Sequence, residues 1–129
     1  MKKPEDKSDK KNIQQRTFSF ACRIVKLYQF LASQKSGIEI LGRQVLKSGT
    51  AIGTNLEEAT AGQSRADFIS KCSIALKKAR ETLYWLRSFI TTRIVSQKKL
   101  DPLAQEANEI TAILTTIVKK TRRQCVPGK

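Results

Sequence analysis

Residues 64–91 read SRADFISKCSIALKKARETLYWLRSFIT, and this stretch decides the fold. Phe68, Cys72, Ala75, Ala79, Leu83, Leu86 and Ile90 recur at steps of three and four, the spacing of one helix face. Ile69, Leu76, Trp85 and Phe89 widen that face. Ser64 has the chemistry of an N-cap, and Asp67, three residues on, suits the positive end of a helix dipole. A helix over 65–91 is predicted. Its apolar surface exceeds what one bundle seam requires, so contact with another subunit is expected as well.

Upstream, Gly62 and Gln63 mark a turn, and a second helix is predicted over 39–61. Its stripe is Leu41, Val45, Ser48, Ile52, Asn55 and Ala59, which is low in volume. Ser48, Gly49, Ala51 and Gly53 crowd its middle. Each interior glycine costs about 1 kcal/mol against alanine. The return is close approach of a neighbouring backbone; the alternative is a kink or break at this point. Asn55 on the stripe is placed to fix register or subunit geometry. Before this helix, Phe20, Ile24, Leu27 and Leu31 predict a first helix over 17–34, closed by Gly37. Residues 1–16, with no large apolar residue besides Met1 and Ile13, read as a flexible basic tail. Downstream, Asp101-Pro102 reads as N-cap and first helical residue. A fourth helix over 102–122 carries Leu103, Ala107, Ile110, Leu114 and Ile117. Residues 123–129 read as a flexible C-terminal tail. Four helices with short loops define an all-α domain over 17–122, an up-down-up-down antiparallel four-helix bundle.

The chain has 129 residues, room for one domain, and 40% of them are hydrophobic. No run reaches the length of a membrane span, and the polar N-terminus lacks a signal peptide's apolar core. A cytoplasmic protein with no membrane partner is expected. Cys22, Cys72 and Cys125 are dispersed and odd in number. Cys22 and Cys72 read as reduced core thiols on apolar faces, and Cys125 as an exposed residue of the basic tail. Histidine is absent, which removes the commonest general base and metal ligand. No cofactor or metal is expected. Ser48, Ser64 and Ser73 have no histidine to activate them, and nothing singles out Lys47 or Lys71 as a base for them. Glu57 and Glu58 point apart on a helix, so with Glu81 they read as ion-pair partners for Arg43, Arg65 and Arg80. The expectation is a protein that is not an enzyme.

What remains is charge. Lys and Arg total 25 against 11 Asp and Glu, a formal net charge of +14. Residues 63–100 hold nine basic and two acidic groups, half of the excess. Lys71, Lys77, Lys78, Arg80 and Arg87 lie on the third helix, Arg93, Lys98 and Lys99 in the connection after it. Lys119, Lys120, Arg122 and Arg123 crowd the end of the fourth. In an antiparallel bundle that end lies near the start of helix three. Such an excess points to a polyanion, and these twelve residues are the candidate phosphate contacts. No helix-turn-helix, zinc finger or aromatic RNA-binding sheet is present, so weakly sequence-specific binding to RNA, DNA or an RNA–DNA hybrid is expected.

Several blocks add a resemblance: SGTAIGTNLEEA over 48–59, QSRADFISK over 63–71, SIALK over 73–77, ARETLYWLR over 79–87 and EITAILTTIVK over 109–119. Together they resemble the bacterial four-helix-bundle proteins encoded by intervening sequences of 23S rRNA genes, over roughly residues 18–120. The resemblance implies a homopentameric barrel and supplies no catalytic residue. A related branch, the accessory variability determinant of diversity-generating retroelements, is a basic pentamer that binds nucleic acid and a reverse transcriptase. The sequence blocks are nearer the intervening-sequence branch, the charge nearer the retroelement accessory. The leading expectation is a pentameric nucleic-acid-binding partner of a reverse transcriptase and its template RNA. The alternatives are an rRNA-associated protein of a 23S intervening sequence, and a protein-interaction scaffold that binds no nucleic acid.

Overall fold

The computed structural model describes residues 6–34, 36–62 and 64–125. They form four helices: α1 (Asp6–Ser33), α2 (Glu39–Ala61), α3 (Arg65–Thr91) and α4 (Gln97–Cys125). No strand occurs among the described residues. Contacts run α1 to α2, α2 to α3, α3 to α4, and then, far more sparsely, α4 back to α1. No diagonal pair brings its backbones as close among the described residues. This is a four-helix bundle whose last seam is the thinnest.

The two middle helices begin and end where the periodicity places them. Ser64, in extended backbone, accepts a hydrogen bond from the Asp67 N–H at 3.0 Å, so the expected cap starts α3. A side chain at Gly62 would meet the tip of the Asp67 carboxylate, which can swing aside. α2 runs unbroken through its glycines. The neighbour they admit is α1: a Cβ built on Gly49 would sit 2.9 Å from Ile24 Cγ1, and one on Gly42 would sit 3.2 Å from Leu31 Cδ1. Within the α2–α3 seam the buried Ser48 and Thr82 hydroxyls share a hydrogen bond of 2.8 Å.

The two outer helices are longer than their sequence implies. α1 starts at Asp6, so residues 6–16, expected as a tail, are helical; residues 1–5 lie outside the described part. The reason is a stripe that begins earlier, with Ile13 and Thr17 both buried ahead of Phe20, Ile24, Leu27 and Leu31. Thr17 can be buried because its hydroxyl donates to the Ile13 carbonyl at 2.8 Å. α4 starts at Gln97 instead of Pro102. Ser96 is the cap, its hydroxyl accepting from the Lys99 N–H at 3.3 Å, and Pro102 sits inside the helix. Proline costs one backbone hydrogen bond there, while Leu100 and Leu103, buried on either side of it, hold the turn. Residues 123–125 continue α4; the Cys125 side chain and residues 126–129 lie outside the described part.

Burial corrects three further expectations. Cys72 is buried, but Cys22 is exposed, because it faces away from the stripe that Phe20 and Ile24 define. Asn55 is half-buried, and its amide donates to Ala51 of its own helix at 2.8 Å, so within the chain it bridges nothing. On α3 the inward face is rotated slightly from the expected stripe. Leu76, Thr82 and Phe89 are buried, while Phe68, Leu83 and Ile90 pack at the margin of the core. The exposed large apolar residues, Phe18, Val25, Ile40, Ile74, Tyr84 and Ile94, are spread over several elements and do not gather on α3.

Candidate nucleic-acid interface

The twelve candidate cations divide into two sets. Lys71 and Lys78 are half-buried and already engaged: Lys71 Nζ lies 2.9 Å from Glu58, and Lys78 Nζ lies 3.6 Å from Glu81. Glu58 raises the Lys71 ammonium pKa by its hydrogen bond first and its charge second. Glu58 and Glu81 therefore form ion pairs, but with lysines on α3 in place of Arg65 and Arg80; Arg43 pairs with Glu39, and Glu57 has no ion pair among the described residues. The other ten, Lys77, Arg80, Arg87, Arg93, Lys98, Lys99, Lys119, Lys120, Arg122 and Arg123, are exposed. None of the ten has a carboxylate partner among the described residues.

These ten stand along α3 from its middle onward, in the loop that follows, and near both ends of α4. Between the middle of α3 and the end of α4, Lys77, Arg80 and Arg122 line an open groove of about 310 Å³ with Ser73, Ile74, Leu76 and Val118. Arg122 Nη2 donates to the Ser73 hydroxyl at 3.3 Å, and Arg65 donates to Gln124 at 3.4 Å, which ties the two helix ends together. Lys119, Lys120 and Arg123 stand on the same stretch of α4. The groove has an apolar floor and a cationic rim, and Arg122 is held by a hydroxyl instead of a carboxylate. Its charge is available to an anion.

At the opposite end, α3 closes, α4 opens, and α1 finishes beside them. Arg87 flanks Tyr84 and Thr92 at the close of α3, and Arg93 takes a left-handed backbone at φ 60° in the loop. Lys98 and Lys99 occupy the first turn of α4, which contains no acidic residue. Cations at this end of a helix oppose its dipole, so helix stability does not account for them. Lys99 Nζ rests 4.0 Å from the centre of the Phe30 ring. Arg23 and Lys26 of α1 join Lys99 around a second open groove of about 350 Å³, floored by Leu27, Phe30, Leu100 and Leu103. Arg23 and Lys26 were not among the sequence candidates. Their signal is a three-residue spacing beside Phe30 on α1, which means little until α4 is known to start early enough to bring Lys99 alongside.

Between the two ends, α1 and α4 are pinned by charge. Arg16 donates to Glu106 through Nε at 2.9 Å and Nη2 at 2.7 Å, and Nη2 also donates to Glu109 at 2.7 Å. Glu106 is the main cause that pushes the already high Arg16 pKa further up. The Arg16 hydrogen bond, followed by that of Gln105, holds the Glu109 carboxyl below its ordinary value. Two of the three acidic groups on α4 are thus spent inside the bundle's own seam.

No group of His, Cys, Asp and Glu among the described residues could hold a metal ion, and no helix among them is long and apolar enough to cross a membrane.

Residues 9–116 match the family described as 23S rRNA-intervening sequence protein. The chain is also similar to a crystal structure from Bacteroides thetaiotaomicron, a protein of unknown function from the S23 ribosomal protein family. The two share 42% identity at a TM-score of 0.78, over 83% of this chain and 98% of that one. No curated protein matches the chain. The match is to the ribosomal-RNA branch of the expected resemblance, and neither similarity carries the retroelement association. With residues 9–116 matched, the chain belongs to the 23S rRNA-intervening sequence protein family.

Proposed function

We propose that this protein is a non-enzymatic RNA-binding protein of the cytoplasm, associated with ribosomal RNA at an intervening sequence, and that it grips RNA by its phosphates. One observation carries this: ten exposed lysines and arginines with no carboxylate partner among the described residues, along α3, the loop after it and both ends of α4, in a chain of net charge +14. Lysine and arginine without base-reading geometry supply affinity and little sequence choice. Family membership supports ribosomal RNA as the source of the phosphates. A homopentamer is the assembly expected from the family resemblance. A role beside a reverse transcriptase has no separate support in the structure.

The test is the affinity of purified protein for labelled RNA, duplex DNA and RNA–DNA hybrid across a salt series. RNA is expected to bind best, with log affinity falling linearly in log salt. A Lys77→Gln/Arg80→Gln/Arg122→Gln variant is expected to keep its helix content and show a shallower salt slope. These three are chosen over Lys71 and Lys78 because no carboxylate neutralises them. Absence of nucleic-acid binding at low salt overturns the proposal and leaves a scaffold for an acidic protein. A preference for hybrid over RNA would favour the retroelement role.

A further inference from the structure

The outer face of α3 carries an ordered row. Ser73, Lys77, Arg80, Tyr84, Arg87 and Thr91 follow one another at steps of four, three, four, three and four. That spacing keeps them within one narrow arc of the helix, turned away from Cys72, Ala79 and Leu86 in the core. At 1.5 Å per residue the row is about 27 Å long. Two grooves open along it, one lined by Lys77 and Arg80 with Arg122 of α4, the other by Tyr84, Arg87 and Thr91. Lys77, Arg80, Arg87 and Arg122 have no carboxylate partner among the described residues. Glu81, which lies between Arg80 and Tyr84 in sequence, is paired with Lys78 beside the row. The row is therefore cationic along its length, with one aromatic ring set between Arg80 and Arg87.

That ring has no duty inside the bundle. Tyr84 is 64% exposed, and its hydroxyl has no hydrogen-bond partner among the described residues. Trp85 stands 5.6 Å away at 79° to it, so no ring lies flat against Tyr84 among the described residues. Phosphate contacts need only cations, whereas an exposed ring in a cationic groove suits a base. A duplex keeps its bases stacked on one another; a single strand offers their faces.

We infer that this row on α3 is a track for single-stranded RNA, on which Tyr84 stacks a base and Lys77, Arg80, Arg87 and Arg122 hold phosphates to either side. This rests on the RNA-binding proposal above and narrows it to an unpaired strand and one base-contacting residue. Stacked nucleotides rise about 3.4 Å each, so the row holds roughly eight of them. Every base has a face to stack, so the track reads little sequence. The Ser73 oxygen accepts from Arg122, and its proton is left to donate. A ribose 2′-hydroxyl can receive it, which favours RNA over DNA.

The experiment measures binding of the full chain, across a salt series, to an unstructured single-stranded RNA of roughly a dozen nucleotides. Beside it stand the same sequence as DNA, its blunt RNA duplex, and the RNA strand with abasic riboses at its centre. The intact RNA strand is expected to bind most tightly. Tyr84→Ala is expected to lose roughly tenfold with its salt slope unchanged, and Tyr84→Phe to stay within about twofold of the parent. The abasic strand should lose a similar factor from the parent and nothing further from Tyr84→Ala. Arg80→Gln/Arg87→Gln should flatten the salt slope by about 1.4, the change for two fewer phosphate contacts on a single strand. Circular dichroism checks that the variants remain folded. Undiminished binding by Tyr84→Ala, a duplex held as tightly as the single strand, or DNA preferred to RNA overturns the track and leaves phosphate binding in place. No binding to any of these ligands at low salt overturns the RNA-binding proposal itself.

Discussion

The α1–α2 seam and the α1–α4 seam lie on two sides of the same helix and are held by opposite means. Towards α2, α1 meets a row of small residues, and Ile24 lies against the backbone at Gly49. Towards α4, α1 makes few close contacts and is joined by one arginine clamped between two glutamates. Shape holds the first seam and charge the second. The charged seam carries the groove with Arg23, Lys26 and Lys99, and the packed seam also opens at its surface, beside Gln14, Phe18 and Glu57, so tight packing at Gly49 does not extend along its whole length.

This contrast is tested hardest at Ile24, which is fully buried. Ile24→Ala is expected to cost about 2–5 kcal/mol in chemical denaturation, from lost transfer energy and the cavity left behind. Gly49→Val attacks the same contact from the other side and is expected to cost about 1–3 kcal/mol by overpacking. The two should couple: the valine methyls introduced by Gly49→Val enter the space that Ile24 vacates, so the double variant should be more stable than the sum of the single losses. Strict additivity would show that α1 and α2 do not meet as described. Next in size is the Ser48–Thr82 pair. Thr82→Val alone is expected to cost about 1 kcal/mol, while Ser48→Ala/Thr82→Val together should cost less than that, because neither partner is left with an unmet hydroxyl.

The same division explains what could be read in the chain beforehand. Helices α2 and α3 were legible to the residue, because their boundaries use local signals: Gly37 ahead of α2, Gly62 after it, and Ser64 with Asp67 at the start of α3. The ends of α1 and α4 were not. Thr17 reads as a helix start until its hydroxyl is seen to satisfy itself on Ile13. Asp101-Pro102 has the form of a cap, yet Ser96 holds that place. Both errors shortened a helix whose extra turns are justified by tertiary burial, of Ile13 on α1 and of Leu100 on α4. The candidate interface was legible as composition and not as arrangement. Which lysines were free depended on whether a carboxylate stood across a seam, as Glu58 does for Lys71. Arg23 and Lys26 gained a partner only through the early start of α4.

The smallest expected effect belongs to the charged seam, and it has a direction in pH. Arg16 and its two glutamates are partly exposed, so Arg16→Gln is expected to cost about 1 kcal/mol or less despite the two-pronged geometry. Arg16 holds the Glu109 carboxyl below its ordinary value of 4.5 in the folded chain. A group depressed on folding adds stability above its unfolded pKa and loses it as pH falls through the folded one. Thermal unfolding from neutral pH downward should therefore show a loss that begins near 4.5 and continues below it. In Arg16→Gln or Glu109→Gln that part of the loss should be absent, since no carboxylate is then held down by a guanidinium. An Arg16→Gln profile that falls as steeply as the parent's through this range would mean that the seam is held by its thin apolar contacts and that the arginine only decorates it.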